Sequence, residues 1–141
     1  MRHRSKQNRL SRPKDQRDAL LRSLATELLR HDEITTTLAK AKAVRSEAEK
    51  MITLAKKGSI KDYKAVSEKA KQGDQAAVKK LAQSLHYRRQ VASFLYCGEV
   101  VKKVFDETAQ KYHDRKGGYT RIIRAGFRRG DATPMAIIQL V

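Results

Sequence analysis

Apolar residues return every third or fourth position through most of this chain, and the rhythm breaks at a few short β-branched runs. Leu20, Leu21, Leu24, Leu28 and Leu29 form the first stripe, which predicts a helix ending near Arg30. Ser11 ahead of Pro13 supplies a cap and an early-helix proline. Glu33 to Thr37 is short and β-branched and reads as a strand. Leu38, Ala41, Val44, Ala48, Met51, Ile52 and Ala55 make the stripe of a second helix, which Gly58 ends. Ser59 and Asp62 resemble a capping box for a third helix reaching Gly73. Asp74 caps a fourth, with Val78, Leu81, Leu85, Ala92 and Leu95 facing inward. Cys97-Gly98 breaks it, and Val100, Val101, Val104 and Phe105 mark a short fifth helix.

Beyond a turn-rich loop at residues 113–118, the period changes to that of strands. Tyr119 to Arg124 and Met135 to Val141 predict an antiparallel hairpin around a basic loop, Gly126 to Pro134. The expected fold class is α+β: a small three-stranded, mostly antiparallel sheet packed against helices. Residues 1–12 show no apolar rhythm and no acidic residue, so they read as an extended basic N-terminal arm. Residues 13–141 are then expected to form a single α+β domain.

Charge sharpens this picture. The 141 residues carry 32 Lys and Arg against 15 Asp and Glu, a formal net charge of +17. Self-repulsion of that size calls for a polyanionic partner. Arginine is sorted to the ends: seven lie in residues 1–30 and five in 115–129, while 14 of the 17 lysines lie between 31 and 114. Arginine's planar fork grips phosphate through two donors and stacks on bases, whereas lysine is a hydrated point charge. Solubility gives no reason to sort the two; a nucleic-acid surface does. No apolar run approaches the roughly 20 residues that span a bilayer, and the N-terminus has no signal-like apolar stretch. A single cysteine, Cys97, excludes an intramolecular disulfide and a Cys-based zinc ribbon. A cytoplasmic setting fits these features.

Three constellations carry candidate chemistry. The first runs through Arg115, Gly117-Gly118-Tyr119-Thr120-Arg121, Arg124 and Phe127-Arg128-Arg129. Its glycines allow close backbone approach to a phosphate chain. Tyr119 or Phe127 is expected to stack on an unpaired base or else to belong to the core. The second is the arm, with Arg2, His3, Arg4, Lys6, Arg9 and Arg12. The third is Arg88-Arg89, expected opposite the apolar face of its helix, on phosphate or in solvent. Catalytic and metal-binding residues are expected to be none: the four histidines lack ligand spacing, and Cys97 reads as a structural thiol. Two other classes fit the charge alone, a DNA-architectural protein and an RNA-modifying enzyme; the second would need a convergent acid–base or metal set.

The motifs in order resemble the bacterial-type large-subunit ribosomal protein seventeen family. They are Met1-Arg2-His3-Arg4, Glu27-Leu28-Leu29-Arg30-His31, Thr36-Thr37 before Ala39-Lys40-Ala41-Lys42 and Arg45, and Met51-Ile52-Thr53-Leu54-Ala55-Lys56. Arg88-Arg89, Val104-Phe105-Asp106-Glu107, Gly117-Gly118-Tyr119-Thr120-Arg121-Ile122 and Arg129-Gly130-Asp131 through Pro134-Met135-Ala136 complete them. The resemblance implies a structural constituent of the large ribosomal subunit, without enzyme activity, cofactor, membrane or small-molecule substrate. Its implied partners are large-subunit ribosomal RNA and neighbouring ribosomal proteins, near the solvent-side exit-tunnel region. It implies a cytoplasmic ribosome, or an organellar one for a mature form. Many relatives are shorter after the second helix, so a lysine-rich helical insertion is expected within about residues 60–84.

Overall fold

The computed structural model describes residues 8–141. Arg2, His3, Arg4 and Lys6 of the arm lie outside the described residues. The chain forms two compact units, one from residues 8–48 with 120–141 and one from residues 49–119.

In the first unit, α1 (Lys14–His31) begins after Pro13, and no side chain caps it. Ser11 is not the expected cap: it sits in a turn with φ 51, where the Arg12 amide donates to the Arg9 carbonyl at 3.1 Å. Ala25, Leu28 and Leu29 are fully buried on its inner face. Each such leucine contributes about 1.5–3 kcal/mol by leaving water. Asp32, left-handed at φ 63, turns the chain from α1 straight into β1 (Glu33–Thr37). The Leu140 amide donates to the Asp32 carbonyl at 2.8 Å. Next comes α2 (Leu38–Gly58), whose first half buries Ala41, Val44 and Ala48.

The hairpin is β2 (Thr120–Phe127) and β3 (Pro134–Leu140). The sheet order is β1-β3-β2 and both pairings are antiparallel. Ile34, Ile138 and Ile122 lie in one cross-strand row, and Thr36, Ala136 and Arg124 in the next. Ala136 and Ile138 are fully buried, so these rows mark the core face. The other face carries the rows Glu33-Gln139-Arg121 and Thr35-Ile137-Ile123. The expected α+β class with a small antiparallel sheet is the observed one.

The second unit is helical. It holds the second half of α2, then α3 (Tyr63–Lys71), α4 (Gln75–Phe94) and α5 (Gly98–Lys103). A π-helical turn (Val104–Thr108) and a last short helix, α6 (Ala109–Lys111), follow α5. Ile52, Ala55, Val91, Val104 and Phe105 are its buried centre. Asp74 caps α4 as expected, its carboxylate accepting from the Ala76 amide at 2.9 Å. Asp62 makes no side-chain cap on α3, so the expected capping box is absent there.

The inward face of α4 differs from expectation. Ala77, Ser84 and Val91 are buried, while Val78 is 49% and Leu85 48% exposed. The cause is close approach. The Ser84 hydroxyl donates to the Gly58 carbonyl at 2.6 Å, and a Cβ on Gly58 would stand 2.7 Å from the Tyr87 Cβ. Small residues at this crossing set the rotation of α4, and the larger Val78 and Leu85 turn outward.

Candidate nucleic-acid interface

The β2–β3 hairpin concentrates the arginines, and its geometry divides their roles. Arg121 and Arg124 are three residues apart in one strand, and alternation sends them to opposite faces of the sheet. A bulge then intervenes: Arg124 pairs with Ala136 and Phe127 with Pro134, so β2 spends one extra residue. Gly126, at φ 81, supplies the conformation this needs. The extra residue restores the parity, so Phe127 and Arg124 occupy the same side of the ladder. Phe127 is 74% exposed there.

Beyond the bulge, Arg128 is committed to the loop itself. Its Nε donates to Asp131 Oδ1 at 2.9 Å and its Nη2 to Oδ2 at 2.6 Å. The Thr133 amide also donates to Asp131 Oδ1, at 3.2 Å. Two backbone hydrogen bonds of 2.9 Å, Arg128 to Thr133 and Ala132 to Arg128, close the same loop. Arg128 and Thr133 hold the Asp131 carboxyl well below the usual carboxylate range. For Arg121, Arg124 and Arg129, no acidic partner stands within ion-pair distance among the described residues. Arg129 is exposed at the tip.

Tyr119 takes the core position, one of the two places the sequence left open for it. It is 3% exposed, with its ring 5.2 Å from that of Tyr112. Lys56 Nζ donates to the Tyr119 hydroxyl at 3.1 Å, and that hydroxyl donates to the Arg115 carbonyl at 3.2 Å. Lys56 also donates to the Arg115 carbonyl. This arrangement pins the loop before β2, with Gly118 left-handed at φ 65 inside it. The Arg115 side chain is exposed, its Nε donating to the Gly117 carbonyl at 3.2 Å. Around Gly117 a Cβ would meet no atom within 4 Å, so the fold leaves that backbone approachable.

Arg88 and Arg89 separate. The Arg88 guanidinium lies 4.7 Å from the centre of the Phe105 ring and pairs with Asp106 at 3.4 Å. Its Nε is buried without a hydrogen-bond partner. Arg88 therefore engages the second unit's own helices while its side chain stays 38% exposed, and Arg89 is the more exposed of the two. Arg9 and Arg12 are exposed on either side of the turn ahead of α1. Sequence reasoning missed Lys56, whose partners lie 59 and 63 residues away. No local signal marks a lysine that serves such distant groups.

Among the described residues no group of His, Cys, Asp and Glu is arranged to hold a metal ion. No helix among them is long and apolar enough to cross a membrane.

The family model described as "Ribosomal protein L17" matches residues 20–141. The chain is 47% identical over 133 residues to "Large ribosomal subunit protein bL17" of Thermoanaerobacter sp. (strain X514), covering 94% of this chain and 96% of that one. The protein of that name from Thermoanaerobacter pseudethanolicus (strain ATCC 33223 / 39E) gives the same figures. The one from Caldanaerobacter subterraneus subsp. tengcongensis is 46% identical with the same coverage.

Proposed function

The chain belongs to the ribosomal protein L17 family, and from that premise we propose that it is a structural constituent of the large ribosomal subunit that binds the subunit's RNA. The mechanism is scaffolding. The arm and the hairpin neutralise phosphates where RNA segments converge, near the solvent-side exit-tunnel region, and neighbouring ribosomal proteins complete its surroundings in the cytoplasm. It performs no chemistry.

The observation that carries this reading is the hairpin end, where Arg124 and Phe127 share one side and Arg129 stands exposed beyond them. A cationic fork beside an exposed aromatic ring fits phosphate and unpaired base together. Arg121 on the opposite face, Arg115 and Arg89 elsewhere, and Arg9 and Arg12 before α1 add phosphate contacts. With Arg2, His3, Arg4 and Lys6 they form the RNA-binding set. Arg88 and Arg128 contribute charge while held by Asp106 and Asp131. Stacking falls to Phe127.

Residues 60–84 act as a peripheral helical extension whose removal leaves RNA binding intact. The rest of residues 13–141 serve as one RNA-binding domain. Sedimentation of the tagged chain, before and after a high-salt wash, tests the assignment. Salt-resistant comigration with large subunits is the expected result. A free or DNA-associated protein would overturn it.

A further inference from the structure

A groove of about 540 Å³ opens on the second unit between the start of α3, one side of α4 and the segment 102–110. Its wall is apolar at Tyr63, Leu81, Leu85 and Phe105. Tyr63 is 54% exposed, and Leu85 faces out because Ser84 takes the inward position. Helix α3 has no buried residue at all. A nine-residue helix with nothing buried is marginal by itself, so its apolar side is unfinished surface. The groove's cations are Lys61, Lys64, Lys102 and Arg88; its one carboxylate, Asp106, is already paired with Arg88.

We propose that this groove receives an acidic amphipathic segment of a neighbouring large-subunit protein. The proposal rests on the ribosomal reading above and names a partner for a face that reading leaves open. Apolar side chains of the segment cover Leu85, Leu81 and Tyr63, and its carboxylates meet the lysines at the rim. RNA fits less well. The rim cations are mostly lysines, without the paired forks that grip phosphate, and Tyr63 is the wall's one exposed ring, since Phe105 is only 2% exposed.

The test is photo-crosslinking in purified large subunits that carry the full chain, with a benzophenone-bearing phenylalanine analogue in place of Leu85. The same analogue in place of Val78, exposed on α4 but outside the groove, is the control. The expected product at Leu85 is a crosslink to one protein, mapped to a segment in which Asp and Glu accompany helically spaced apolar residues. Lys64→Glu with Lys102→Glu should lower its yield roughly tenfold while sedimentation with the subunit is unchanged. A crosslink to RNA, a segment without excess acidic residues, or a yield no higher than at Val78 would overturn the groove proposal alone. Absence of the chain from large subunits would instead remove the ribosomal reading, and this proposal with it.

Discussion

Arg128 grips Asp131 through two parallel hydrogen bonds, 2.9 Å from Nε and 2.6 Å from Nη2, across a loop that belongs wholly to the hairpin end. An arginine read from sequence as an RNA contact is thus also the clasp of its own loop. The same pair lowers the Asp131 carboxyl below its ordinary value of 3.8, with the Arg128 hydrogen bonds as the largest cause and Thr133 assisting. A carboxyl whose pKa is depressed by folding adds stability above its unfolded value and loses it as pH falls through the folded value. The loop should hold unchanged from neutrality to about pH 4 and open only below 3.8. Chemical shifts of the Ala132 and Thr133 amides during acid titration check this. Opening between pH 5 and 6 would refute it.

Arg128 and Arg129 should behave differently when each becomes alanine. On the proposed interface Arg129→Ala should remove one phosphate contact, so the slope of log affinity against log salt should fall by about 1 without loss of folded stability. Arg128→Ala should disturb the Thr133 and Ala132 amides in the free protein. Equal effects of both on the free protein's spectra would contradict the assignment.

Phe127→Ala should leave the melting temperature almost unchanged, because the ring is already in water. It should weaken binding to the cognate RNA by about 1–3 kcal/mol, the usual worth of a base–aromatic stack. Phe127→Tyr keeps a stacking face and should bind nearly as wild type. Titration of labelled RNA with the three proteins separates these outcomes. An alanine variant with wild-type affinity would remove Phe127 from the interface.

Gly58→Ala forces a methyl to 2.7 Å from the Tyr87 Cβ and 2.9 Å from Phe105 Cε1. Neither a Cβ nor a buried ring yields easily, so the cost should be about 1–3 kcal/mol, the range for overpacked sites. Ser84→Ala leaves the Gly58 carbonyl without that donor and should cost about 1–3 kcal/mol. Denaturant unfolding of both variants gives the numbers. A neutral Gly58→Ala would show that α2 and α4 separate freely at this point.

The strands were legible because their ends are punctuated: Asp32 before Glu33, the paired glycines before Thr120, Pro134 at the head of β3. Fold class followed from that. The face of α4 was not legible, since periodicity places the largest residues inward and has no access to a neighbour such as Gly58 that admits only Ser84. Tyr119 was ambiguous for a related reason: a tyrosine has an apolar ring and a polar end, and only the distant Lys56 and Tyr112 decide where it goes. The arginines were visible as charge, but their pairing with Asp106 and Asp131 depends on tertiary geometry. The division of Arg121 and Arg124 between opposite faces follows from strand alternation alone, whereas the placing of Phe127 on the Arg124 side depends on the bulge at Gly126.

The central strand of the sheet is β3, the last element in chain order, and β1 pairs with β3 alone. Glu33 must wait for Gln139, and at about 5–20 residues per second the intervening hundred or so take roughly 5–20 s to make. Until then β1 is an unsatisfied edge, and closing so long a loop is entropically slow. The backbone hydrogen bonds of the helices are local and need no such distant partner. The sheet, by contrast, cannot close before β3 exists. The hairpin arginines reach their fixed spacing only when β2 pairs with β3.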